Sequence, residues 1–108
     1  MIVTPSGQVP GHRVVRSFGL VHGNTIRARH VGKDILAGLK NIVGGEIQEY
    51  TKLMAEAREQ AIDRMVAVAA SRGANAVVSV AFSTSYVMQN ASEILVYGDA
   101  VVVEPERP

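Results

Sequence analysis

The sequence predicts an α+β domain of order β-α-β-β, with one long helix on one face of an antiparallel sheet, assembled as a cyclic homo-oligomer. Three observations carry this reading. An alternating, glycine-broken stretch fills the first third; a helical stripe runs from Ile47 to Val68; and a long hairpin pattern fills the last third. A chain of 108 residues with an apolar fraction of 47% is sized for a single domain, 1–108, with a real core.

The elements follow in order. Val14, Arg16, Phe18, Leu20 and His22 share one parity, and Val15, Ser17, Gly19 and Val21 the other. This predicts a strand kinked or bulged at Gly19 and Gly23. Asn24-Thr25 reads as the start of a turn, with a second short strand over 25–31. From Asp34, Ile35, Leu39, Ile42 and Val43 change to helical spacing, a short helix stopped by Gly44-Gly45. Glu46 opens the long helix to about Arg72, with Ile47, Tyr50, Met54, Ala57, Ala61, Met65 and Val68 as its apolar stripe and Gly73 as its stop. Ala76 to Met88 alternates strictly, Gln89-Asn90-Ala91-Ser92 connects, and Glu93 to Glu104 returns.

Helix and strands each span about 40 Å, as long as such a domain is wide if its radius of gyration is near 13 Å. One helix covers one sheet face. The last strand is apolar on both, with Leu95, Tyr97, Val101 and Val103 opposed to Ile94, Val96, Ala100 and Val102. The second cover is therefore expected from another subunit.

Composition excludes several functions. The absence of cysteine removes disulfides, thiolate metal sites, Fe–S clusters and cysteine nucleophiles. No signal-peptide pattern or span-length apolar run is present, which makes the cytoplasm the expected location, without a membrane partner. A net charge of +1 and five Phe and Tyr residues make nucleic acid an unfavoured partner. Charge is nonetheless asymmetric: Arg13, Arg16, Arg27, Arg29 and Lys33 all precede the first acidic residue, Asp34. That suits docking of one subunit on the next, or simply guarded strand edges.

Histidines come first as candidate ligands, because Zn²⁺, Cu²⁺ and Ni²⁺ favour imidazole. His12, His22 and His30 form no chelating pair, and His22 and His30 would lie roughly 26 Å apart along a straight strand. One His per subunit could still converge around a symmetry axis, so His22 and His30 are the metal candidates. Glu56, Glu59 and Asp63 share a helix face that could hold a hard cation, although a solvated face beside Arg58 and Arg64 is the more ordinary reading. Gly44-Gly45 lacks the context of a phosphate loop, and no G-x-S-x-G elbow occurs. Tyr50, Arg58, Asn75, Glu93 and Tyr97 could collect around an inter-subunit ligand pocket. Core packing for Tyr50, a salt bridge for Arg58 and a turn for Asn75 are the competing readings.

Several strings resemble one family. They are Asp34-Ile35-Leu36-Ala37-Gly38-Leu39, Asn41-Ile42-Val43-Gly44-Gly45-Glu46, Gly73-Ala74-Asn75-Ala76-Val77-Val78 and Tyr97-Gly98-Asp99-Ala100-Val101-Val102-Val103, with Tyr50, Ala57-Arg58 and Arg64-Met65 at matching spacing. From about Gly11 to Glu104 the chain resembles the YbjQ family of small prokaryotic proteins, to which heavy-metal binding is ascribed. The resemblance implies a dodecin-like subunit and a homopentamer, with stacked rings giving a decamer. The chain departs from the family's commoner string at Ser83, where an acidic residue is usual, and at Asp99, where a small hydroxyl residue is usual.

Three function classes follow, in order. The first is an oligomeric binding or sequestration protein for a divalent metal ion or small ligand held between subunits. A scaffold whose product is the assembly comes second, and an enzyme with an inter-subunit site using Glu93, Tyr97 and Arg58 third. The absence of a convergent nucleophile–base set leaves no catalytic residue to name.

Overall fold

The computed structural model describes residues 1–28, 48–88 and 91–107. They form β1 (Ile2–Val3), β2 (His12–Ala28), α1 (Gln48–Ser71), β3 (Ala76–Met88) and β4 (Ala91–Pro105). The sheet order is β1-β3-β4-β2. The three long strands are antiparallel, while β1 runs parallel to β3, so the sheet is mixed rather than purely antiparallel. The expected short helix after Asp34 and its Gly44-Gly45 stop lie outside the described residues.

β2 is one continuous strand of 17 residues. The turn expected at Asn24-Thr25 does not form: Asn24 pairs with Leu95 and Thr25 with Ile94. Thr25 is buried and donates its hydroxyl to the Ala57 carbonyl of the helix at 3.0 Å, a tertiary bond that overrides the turn preference of the pair. The register shifts between Val14 and Arg16 and again between Ser17 and Gly19. Gly19 takes φ +86° at the second bulge, as its position in the sequence suggested.

Gly23 has a different role. A Cβ there would lie 2.5 Å from the Met65 backbone nitrogen and inside the envelope of the Ala61 carbonyl oxygen. The helix backbone therefore rests directly on β2, which requires small residues beneath it. Ala57, Ala61, Met65 and Ala69 supply the buried ridge in steps of four. Val68, expected on that stripe, is 37% exposed, because the four-residue steps carry the contact to Ala69 instead. Above Val21, Val77, Ile94, Val96 and Ala100 this ridge closes the main core. The helix ends on Gly73 (φ +92°), where the Gly73 and Ala74 N–H groups donate back to the Ala70 and Ala69 carbonyls.

The hairpin connection is shorter than expected, since Ala91 and Ser92 already pair with Met88 and Tyr86. Between Val78 and Ala81 the ladder slips, and Ser79 adopts φ 55°. The N-terminal segment docks on this irregularity, with Ser79 N–H donating to Ser6 O at 2.9 Å and Val80 N–H to Thr4 O at 3.1 Å.

That segment also changes how the second sheet face is covered. Val9 packs over Ala76, Val78, Val101 and Val103 in a second buried cluster. Val101 and Val103, expected to await another subunit, are thus buried by their own chain. Among the described residues nothing covers the remainder of the face. The domain is a plate of 59 × 25 × 17 Å with a radius of gyration of 17.7 Å, more extended than the 13 Å typical of a compact domain.

Candidate functional site

The register of β2, β4 and β3 defines the open face. Directly paired residues project to the same side, so Leu20 and Asp99, His22 and Tyr97, Asn24 and Leu95, and Ile26 and Glu93 stand side by side. Ala81, Ser83 and Ser85 extend those rows onto β3. The helix packs on the opposite face, over Val21, Ile94 and Val96. Leu20 is 62% and Ile26 58% exposed.

A groove of about 340 Å³ lies among these rows, lined by Leu20, His22, Asn24, Glu93, Leu95 and Tyr97. Leu95 and Glu93 are half-buried in its floor. The Asn24 side-chain amide donates to Glu93 Oε2 at 3.3 Å and orients the carboxylate without neutralising it. The described residues offer no hydrogen-bond partner to His22 or to the Tyr97 hydroxyl.

The groove brings together Glu93 and Tyr97 from the expected ligand set and His22 from the expected metal pair. The other candidates go elsewhere. Asn75 is structural: its amide donates to Val103 O at 2.9 Å and its carbonyl accepts from Val103 N–H at 2.8 Å, extending the ladder past the start of β3. Arg58 is exposed on α1, on the far side of the sheet from the groove. The Tyr50 backbone belongs to α1, and its side chain lies outside the described residues, as does His30. His12 sits at the other end of β2, with its Nδ1 2.9 Å from Pro10 O.

Arg64 turns away from the helix carboxylates and donates to Asn24 O at 2.6 Å, while Arg72 reaches Leu20 O at 3.4 Å. These two guanidinium groups cap carbonyls along the free edge of β2, which guards that stretch against strand addition. The described ion pair, Arg13 with Glu104 at 3.4 Å, is exposed and contributes little.

Asn24 is the functional candidate that the sequence reading missed. Its parity with Leu20 and His22 would have placed it on the same face, had the strand been continued through the apparent turn.

The donor set can be weighed against a metal ion. Among the described residues no three His, Cys, Asp or Glu side chains converge, and Glu56, Glu59 and Asp63 do not gather into such a group. No buried polar side-chain atom lacks a partner among the described residues. The groove offers one imidazole and one carboxylate, short of the three or four protein ligands usual for zinc, and the chain contains no thiolate for a soft ion. The described donors of one subunit do not fit a heavy-metal centre. Nor is any described helix long and apolar enough to cross a membrane.

A family model described as "Putative heavy-metal-binding", YbjQ, matches residues 1–104. The chain is 62% identical over 104 residues to a UPF0145 protein of Dehalococcoides mccartyi strain 195, covering 96% of this chain and 100% of that one. To a UPF0145 protein of Archaeoglobus fulgidus it is 55% identical over 101 residues, covering 94% of each. Among solved structures, a protein of unknown function of the DUF74 family from Pediococcus pentosaceus superposes with a TM-score of 0.68 at 13% identity. That match covers 96% of this chain and 98% of that one. At such low identity the likeness concerns the fold alone.

Proposed function

The chain belongs to the YbjQ family, and from that premise we propose that it is a small-ligand-binding protein that works as a closed homo-oligomer, with the Leu20–Tyr97 groove as its ligand site. The observation that carries this reading is the composition of the open face. An oriented carboxylate, an imidazole and a phenol sit among Leu20, Ile26 and Leu95, on the part of the sheet that neither the helix nor the N-terminal segment covers. A pocket of this kind, apolar with a few convergent polar groups, is the usual form of a small-molecule site.

Exposed apolar side chains extend beyond the groove. Phe82 is 48% exposed on the helix side of β3, past the helix, and Leu20 and Ile26 flank the groove itself. Covering these surfaces with a second copy removes apolar area from water and encloses the groove between subunits. A ring of five, alone or stacked in pairs, is the assembly that the family resemblance implies. Tight binding of a soft metal is not part of this reading, since the described residues lack the donors for it.

Sedimentation velocity on wild type and on Leu20→Arg tests the proposal. Leu20 is largely exposed in the single chain, so the substitution leaves the subunit's own core intact. Wild type is expected to sediment as one closed oligomer, and the variant as smaller species, because an unpaired charge would be buried at the contact. A wild-type monomer at micromolar concentration would contradict the proposal, as would an undisturbed oligomer in the variant.

A further inference from the structure

We propose that the groove selects a small organic cation: a compact apolar or aromatic body carrying an ammonium or amidinium head. The inference rests on the groove being the ligand site and adds the chemistry of what it takes.

Charge comes first. Along the open rows of β2, β4 and β3 the charged side chains are Glu93 and Asp99, and no Lys or Arg occupies a described position there. The nearby guanidinium groups are engaged elsewhere: Arg64 and Arg72 bond the Asn24 and Leu20 carbonyls at the β2 edge, and Arg16 stacks over the Phe18 ring at 4.6 Å. An anion in the groove would meet the Glu93 carboxylate, with Asp99 farther along the same face, and no described Lys or Arg side chain lines the groove to balance it. A cation would meet Glu93 with one oxygen held by the neutral Asn24 amide and the other free to accept.

Shape and polarity supply the rest. Tyr97 stands beside His22, and Leu95 beside Asn24, so the floor between the carboxylate and Leu20 is a phenol ring next to a leucine. A ring face attracts a cation, and the leucine surface accepts an apolar body. A fully hydrated metal ion would gain little from either surface. At about 340 Å³ the groove lies at the small end of ligand pockets.

Benzylammonium and phenylacetate are near-isosteric probes of opposite charge. Each is titrated into the intact homo-oligomer, with binding followed by calorimetry and by NMR shifts of groove residues. Benzylammonium is expected to bind at least about tenfold more tightly than phenylacetate, a difference of ~1.4 kcal/mol. Glu93→Gln is expected to reduce benzylammonium affinity about tenfold, whereas Arg13→Gln, at the far end of β2, leaves it unchanged. Equal or preferred phenylacetate binding in the groove overturns the cation class and leaves the groove as the ligand site. So does benzylammonium binding that Glu93→Gln does not weaken. If neither probe shifts a groove resonance in either protein, the groove reading and this inference fall together. Thermal melting of Glu93→Gln close to wild type establishes that a lost affinity reports binding and not unfolding.

Discussion

Replacing Gly23 with alanine tests the close approach of α1 to β2. A Cβ at this position meets backbone atoms of α1, the Ala61 carbonyl oxygen and Met65 N, together with Arg64 Cβ at 3.1 Å. Backbone cannot rotate aside as a flexible side chain can, so the helix must lift from β2. Overpacking of this kind costs about 1–3 kcal/mol. Lifting the helix also breaks the buried bond from Thr25 to the Ala57 carbonyl, worth about 1 kcal/mol. The expected total is about 3 kcal/mol, which corresponds to a fall in Tm of roughly 12–24 °C for a domain near this size. Calorimetric melts at one fixed protein concentration provide the measurement. Gly19→Ala is the internal comparison: its Cβ meets nothing within 4 Å, yet φ is +86°, so its cost is the backbone strain alone, about 1–2 kcal/mol. If Gly23→Ala melts no lower than Gly19→Ala, the helix does not rest on β2 as described.

Further outcomes follow from the same packing. Asn75→Ala removes both side-chain bonds to Val103 and should cost about 2 kcal/mol in urea unfolding while leaving ligand affinity unchanged, because Asn75 lies outside the groove. Met65→Ala, at a fully buried position on the sheet-facing side of α1, should cost about 2–5 kcal/mol by the same assay. Ser79→Gly relieves a left-handed φ and should stabilise by a few tenths to about 1 kcal/mol, seen as a higher Tm. Val101→Arg places a charge beneath Val9 and should release the N-terminal segment, seen as faster amide exchange at Thr4 and Val80.

Periodicity made the long elements legible. The buried steps of α1 and the alternation of β3 and β4 are long-range patterns that survive one misplaced residue, as with Val68 for Ala69. Features set by a single tertiary contact were not legible. β1 is two residues, Ile2 and Val3, that become a strand only because β3 offers an edge. Gly23 looked like a kink because glycine has no side chain to announce what lies above it. The double apolarity of β4 was read correctly, but its cause divides along the strand: Val101 and Val103 face Val9, while Leu95 and Tyr97 face the open groove.

The site shows the same division. His22, Glu93 and Tyr97 were recognisable as residue types, yet their meeting depends on the register between β2 and β4, which the bulges at Val14/Arg16 and Ser17/Gly19 shift. Within one chain Arg58 and Asn75 lie apart from them, Arg58 on the helix side of the sheet and Asn75 bonded to Val103 just before β3, because neither the face a helix covers nor the strand register is written in the sequence.

Native mass spectrometry of untagged protein tests the central claim most directly, because it reports subunit number and retained ligand together. The account predicts a single closed homo-oligomer of several copies, carrying a small organic adduct that is retained by wild type and diminished by Glu93→Gln. A bare monomer would contradict it, as would an oligomer whose bound mass is a soft metal ion indifferent to Glu93.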